Sequence, residues 1–148
     1  NGELYMGSMG KEFTNAEGAV VNTNNLWISI LNTRGELRRV DWERQFTYVR
    51  NALGAQYPGY LIHEAISWSP YLKKWIFMPR RISTEKYDDV LDEKRGSNKV
   101  VLVDESFTSH EIVTVNMKNL DGLHGFSSFA FVPGTGDKHV LALRSVEE

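Results

Sequence analysis

The sequence predicts an all-β fold made of repeated antiparallel hairpins, and three observations carry that prediction. Apolar runs of strand length recur along the 148 residues, separated by Gly, Pro, Asn and Asp turn chemistry. Only one stretch, Trp42 to Leu53, repeats its apolar residues at helical spacing. Two hairpins far apart in the chain echo each other residue by residue.

The elements follow in order. Leu4–Met9 reads as a short strand ending in Gly10-Lys11-Glu12; a polar loop from Thr14 to Asn25 precedes a strand around Leu26–Leu31, which turns at Asn32-Thr33-Arg34-Gly35. Asp41 is placed to cap one short helix, since Trp42, Phe46, Val49 and Leu53 share a face and Gly54 stands where a terminal glycine is expected. Pro58-Gly59 then leads into the central hairpin, Tyr60–Ser69 and Lys73–Arg81 around a Ser69-Pro70 turn. The charged segment between Ser83 and Asn98 reads as a loop. Lys99–Val103 and Glu111–Val115 return to strand, and a third hairpin pairs Phe126–Val132 with His139–Leu143 across Pro133-Gly134.

Inside the central hairpin, Leu61, Ile62, Ala65, Ile66 and Trp68 put apolar residues at both parities, so Glu64 is expected in a strand buried on both faces, where a carboxylate needs a partner. Pro79-Arg80-Arg81 places two guanidinium groups where the second strand leaves the sheet, a geometry suited to phosphate or carboxylate. The third hairpin repeats this plan: Ser127 stands where Glu64 stands, 63 positions later. Blades of four strands with long loops account for that period and point to part of a β-propeller, in which Glu64 and Ser127 face each other across a central channel. A carboxylate and a hydroxyl there would suit a hard cation such as Ca²⁺; a neighbouring Arg or Lys is the plainer partner for Glu64, and an ordinary core position the plainer reading of Ser127. Arg80-Arg81 and Lys11-Glu12 read equally as a solvated strand end and a surface pair. His63 and His124 read as hydrogen-bonded structural residues.

Composition sets outer bounds. Lys+Arg 17 against Asp+Glu 19 leaves a net charge of −2, with no basic stripe for nucleic acid and no bulk field for an anionic membrane. The absence of cysteine excludes disulfides, Cys-zinc sites and thiol catalysis. No apolar run approaches a membrane span and no leader is visible, while both ends look cut, so that the chain reads as an internal segment whose open edges favour association.

The residues singled out resemble the calcium-activated nucleotidases of the apyrase family. The likeness rests on Leu4 to Glu12, Pro58 to Glu64, Trp75 to Arg81, His124 to Phe129, and the spaced pattern Glu85, Tyr87, Asp92-Glu93, Gly96 and Asn98. It implies a five-bladed β-propeller, of which residues 1–148 form about two and a half blades of a single domain. It further implies Ca²⁺-dependent hydrolysis of nucleoside di- and triphosphates such as UDP, GDP, ADP and ATP. By that likeness Glu64 and Ser127 become calcium ligands, with others outside this chain. Arg80 and Glu12 are the catalytic candidates, one holding phosphate and the other orienting water; Lys11, Arg81 and Tyr87 are the substrate-binding candidates. A secreted or endoplasmic reticulum and Golgi lumenal setting is implied, with no membrane contact from this segment; a homodimer is carried as an expected partner. Phe13, where relatives commonly have tryptophan, and Ala65, where serine is expected, depart from the pattern. The rival reading is a non-catalytic propeller module with a structural Ca²⁺.

Overall fold

The computed structural model describes residues 2–118 and 120–146. The last residues of the strand-like terminal stretch, Glu147 and Glu148, lie outside the described residues. The chain is mostly β: β1 Leu4–Met6, β2 Phe13–Thr14, β3 Val20–Asn22, β4 Trp27–Leu31, β5 Leu37–Asp41, α1 Glu43–Ala52, β6 Tyr60–Ser69, β7 Lys74–Ser83, α2 Asp89–Asp92, β8 Lys99–Asp104, β9 His110–Thr114, β10 Gly125–Phe131 and β11 Val140–Ser145. All strand pairs are antiparallel. The central sheet has the order β6-β7-β8-β9, flanked in sequence by a β1-β4-β5 sheet and the β10-β11 hairpin, with a small β2-β3 hairpin at the side.

Alternation along the central strands explains why this sheet is packed on two sides. Phe77, Val101 and Val103 point to one face, where they meet Ile28 and Ile30 of β4 and Trp42, Phe46 and Val49 at the helix. Ile76, Met78 and Val100 point to the other and meet Phe126 of β10. Trp42 and Phe107 sit edge-on to this aromatic core, with ring centroids 5.9 Å apart.

Four local expectations change. Asp41 caps from one residue further out: its Oδ1 accepts the Glu43 N–H at 2.8 Å, and Trp42 flanks the helix. The Thr14–Asn25 loop contains β3 and one residue of β2, and a strand at Leu37–Asp41 follows the Gly35 turn although its pattern, Leu37-Arg38-Arg39-Val40-Asp41, is largely polar and exposed. The Ser83–Asn98 segment holds a four-residue helix, capped by Asp88 Oδ1 accepting the Val90 and Leu91 N–H groups. At the helix end, Gly54 takes φ +70°, the left-handed conformation expected of it.

Candidate functional site

The centre of the site is an irregularity in the β6-β7 ladder. Pairing runs Leu61 with Ile82 and Ile62 with Arg81, then His63 with Pro79, then Ala65 with Met78, so that Arg80 on one strand and Glu64 on the other are left without partners in the register. Pro79 supplies the reason: it has no N–H for the ladder, and prolines inside sheets sit at such bulges. The two omitted residues pair with each other instead. Arg80 Nη1 donates to Glu64 Oε2 at 3.0 Å and to Ser145 Oγ at 3.1 Å, while Nη2 donates to the Ser145 carbonyl at 3.2 Å.

This corrects two expectations. Glu64 is not enclosed on both faces, since the bulge turns its side chain outward to 38% exposure. Arg80 and Arg81 are not a solvated strand end, because each residue is 2% exposed. Gly125 explains how tightly the third hairpin closes on Arg80, for a Cβ there would lie 2.5 Å from the Arg80 carbonyl oxygen.

Ser127 occupies the matching place in β10. Phe126 pairs with Arg144 and Ser128 with Leu143, leaving Ser127 as a bulged residue whose Oγ donates to the Leu143 carbonyl at 3.4 Å. The repeat relation read from sequence is therefore structural: each hairpin's first strand carries its oxygen-bearing residue at a bulge. Strand β10 lies against β6 and β7.

Lys11 and Glu12 are likewise not a surface pair. Glu12 forms a two-point ion pair with Arg50 of α1, at 2.8 Å from Nη1 to Oε1 and 3.0 Å from Nη2 to Oε2, and Arg50 Nη2 also donates to the Gly10 carbonyl at 3.3 Å. Burial opposes the charge on Glu12, but Arg50's hydrogen bonds and charge, with Lys11 nearby, hold its carboxyl below the ordinary value. Lys11 is 5% exposed, and burial lowers its pKa against the pull of Glu12 and Asp92. Its Nζ donates to the Glu12 carbonyl at 2.9 Å and to Thr14 Oγ1 at 3.1 Å, and lies 4.2 Å from the centre of the Tyr87 ring.

Tyr87 stands edge-on to Tyr60 at 5.4 Å. Tyr60 in turn donates its hydroxyl to Asp92 Oδ1 at 2.5 Å and accepts from Arg95 Nη1 at 2.9 Å. Arg81 donates through Nη1 to the Leu123 carbonyl at 3.1 Å, with its Nε 3.7 Å from Asp92 Oδ2. Burial raises the Asp92 pKa against the neighbouring Tyr60, Arg81 and Arg95. Lys11, Tyr87 and Arg81 thus converge on one network with Asp92, while Arg80, Glu64 and the Ser127 hairpin form a second group.

His63 departs from its expected role as a hydrogen-bonded histidine. It is buried and stacked on Phe46 at 5.5 Å, and neither ring nitrogen has a partner among the described residues. Burial, with Arg50 nearby, drives its pKa down to about 3, so the ring is neutral. It borders a cavity of about 330 Å³ that Glu64, Ser8 and Ile66 also line. His124 keeps the expected role, with Nδ1 2.6 Å from Asp121 Oδ2.

Arg50, Tyr60, Asp92, Arg95 and Ser145 were not foreseen as participants. Arg50 stands four residues after Phe46, on the edge of the helix's apolar face, so the helical spacing held a signal that it is buried, but only the tertiary fold brings it to Glu12. Asp92 did lie in the spaced motif and Tyr60 in the Pro58 to Glu64 stretch, so those patterns held the available signal, while Arg95 stood in neither.

The donor chemistry at the two bulges fits a hard cation. Glu64 uses Oε2 for Arg80, and a carboxylate has further lone pairs to offer. With the Ser127 hydroxyl it would offer two of the about six to eight oxygens that calcium takes. Among the described residues no group of three or more His, Cys, Asp or Glu side chains is placed to hold a metal, and no helix is long and apolar enough to cross a membrane.

The sequence profile of the Apyrase family matches residues 1–148. The chain is 40% identical over 146 residues to "Apyrase apy-1" of Caenorhabditis elegans, covering 99% of this chain and 41% of that protein. It is 41% identical over 145 residues to "Soluble calcium-activated nucleotidase 1" of Rattus norvegicus, covering 98% and 36%. Against "Apyrase" of Cimex lectularius it is 38% identical over 146 residues, covering 99% and 40%. The chain spans about two-fifths of the length of these relatives.

Proposed function

The chain belongs to the apyrase family, and on that premise we propose that it is the part of a Ca²⁺-dependent nucleotidase carrying one side of the metal and phosphate site. The enzyme releases inorganic phosphate from nucleoside di- and triphosphates. The observation that carries this reading is the pair of equivalent bulges, which set Glu64 and Ser127 at matching positions on the first strands of two hairpins, in a family with relatives named as calcium-activated nucleotidases. The central four-stranded sheet is read as one blade of a five-bladed propeller, with β1-β4-β5 and β10-β11 as parts of its neighbours.

Glu64 and Ser127 are the proposed calcium ligands, and calcium bound there would supply a fixed positive field for phosphate oxygens. In the reaction a water oxygen attacks the terminal phosphorus as the anhydride P–O bond breaks, which demands positioning and charge neutralisation more than covalent help. Arg80 is the proposed phosphate-facing cation, preset by its bonds to Glu64 and Ser145. Glu12 is the proposed water-orienting carboxylate. Lys11, Arg81 and Tyr87, already tied into the Asp92 network, are assigned to the substrate-binding wall, which they brace. A secreted or lumenal setting belongs to the same proposal and rests on the family likeness alone.

The test is calcium-dependent phosphate release from UDP, GDP, ADP and ATP by the full-length protein containing this chain. Glu64→Gln should weaken calcium affinity at least about tenfold, in line with loss of a charged ligand. Calcium binding without phosphate release from any of the four nucleotides would replace this reading with that of a non-catalytic calcium-binding propeller.

A further inference from the structure

We infer that Arg50 is a positioning residue for Glu12, holding the carboxylate fixed in place and direction from the helix behind it. The inference rests on the reading of Glu12 given above and adds a residue from an element that the catalytic candidates do not share.

Four observations carry it. Arg50 approaches Glu12 through both terminal nitrogens, at 2.8 and 3.0 Å, so the carboxylate is fixed in plane as well as in place. The same guanidinium donates to the Gly10 carbonyl at 3.3 Å, which ties down the backbone two residues before Glu12. Gly10 takes φ +71°, and a Cβ there would lie 2.6 Å from Phe46 and 2.7 Å from His63, so this turn is pressed between α1 and β6. The partners also differ in exposure: the Arg50 side chain is 5% exposed and that of Glu12 18%, so Arg50 is sealed in while the carboxylate keeps an open side.

The pair is not built for stability alone. Arg50 Nε is buried without a partner among the described residues, and an orphaned donor costs free energy that an apolar side chain in its place would avoid. The charge facing Glu12 comes from Arg50 and from Lys11, itself influenced by Asp92 and Asp89. From β6, His63, which is neutral, packs against Phe46 of the same helix, and the Tyr60 ring lies 5.7 Å from Lys11 Nζ.

The test compares Glu12→Gln, Arg50→Gln, Arg50→Lys and the double Gln variant in the full-length protein, reading kcat, KM and the pH profile of phosphate release with thermal melts alongside. Arg50→Gln should lower kcat at least about tenfold with KM moved less than about threefold. The acid limb of the profile should also move up by about one pH unit, because the carboxylate loses its cation. Arg50→Lys keeps the charge but not the two-point geometry; it should restore the acid limb more fully than kcat, and it carries the test if Arg50→Gln does not fold. The double variant should be no slower than Glu12→Gln. The inference is overturned if Glu12→Gln is inactive while Arg50→Gln melts lower but keeps its kcat and acid limb. An active Glu12→Gln would instead remove Glu12 from the proposed chemistry.

Discussion

Gly125→Ala is the sharpest probe of how the third hairpin holds the site. A methyl group at this position would lie 2.5 Å from the Arg80 carbonyl oxygen and 2.6 Å from Arg80 Cγ, both well inside contact distance. Relief is blocked on each side. The Arg80 carbonyl accepts the Ser97 N–H at 3.1 Å, and the side chain is pinned through Glu64 and Ser145. Gly125 itself is paired with Ser145 in the ladder. Forcing a methyl into such a place costs about 1–3 kcal/mol of the full-length protein's stability. Thermal and urea denaturation would measure it, with Gly7→Ala as the control. Gly7 has nothing within 4 Å of its would-be Cβ, so that variant should stay within about 0.5 kcal/mol of the parent. Since the hairpin must back away from Arg80, phosphate release should fall in Gly125→Ala and not in the control. A Gly125→Ala protein within about 0.5 kcal/mol of the parent would show that the hairpin is not seated on Arg80 as described.

Tyr60→Phe removes the hydroxyl that donates to Asp92 and accepts from Arg95, leaving a half-buried carboxylate short of a donor; a loss of about 1–3 kcal/mol is expected in urea melts. The pH dependence has a definite sign for Glu12: its folded pKa lies below the ordinary 4.5, so its contribution is fully present above that value and is lost as the pH falls through the folded one. Asp92, with a raised pKa, works the other way. Urea midpoints taken between pH 7 and pH 3 should therefore fall less steeply in Glu12→Gln than in the parent, and equal slopes would contradict the ion pair with Arg50. Arg80→Ala should reduce phosphate release by about 100-fold or more; normal turnover with UDP or GDP would dismiss Arg80 from the proposed chemistry.

What could be read beforehand follows from how local each signal is. The central and third hairpins were legible because alternation and turn residues act within a few positions, and the Glu64–Ser127 relation was legible because repetition preserves spacing. The β5 strand was not, since Leu37 to Asp41 is a mostly polar strand held by its pairing with β4, and nothing in those five residues announces the partner. The environments of Lys11, Glu12 and Arg80 were misread for the same reason. Charged residues at a strand end are usually wet, and whether they are buried depends on elements tens of residues away, such as Arg50 for Glu12 and Ser145 for Arg80. Outward Glu64 was hidden by a different effect, because the apolar residues around it imply a regular strand, and the bulge beside Pro79 breaks the alternation on which that inference depends.

The two residues left out of the β6-β7 ladder also bear on how this hairpin tolerates insertions and deletions. The register before the irregularity, Ile62 with Arg81, and after it, Ala65 with Met78, is the same because one skipped residue on each strand cancels the other. Deleting Glu64 alone, or Arg80 alone, would throw half of the hairpin out of phase and turn its core residues to the wrong side. Deleting both would leave a continuous ladder with Leu61 and Phe77 still facing inward. The charged couple is thus a matched pair of extra letters in the hairpin, removable together but not singly. A double-deletion protein would be the natural blank against which to measure what the site does apart from what the fold does.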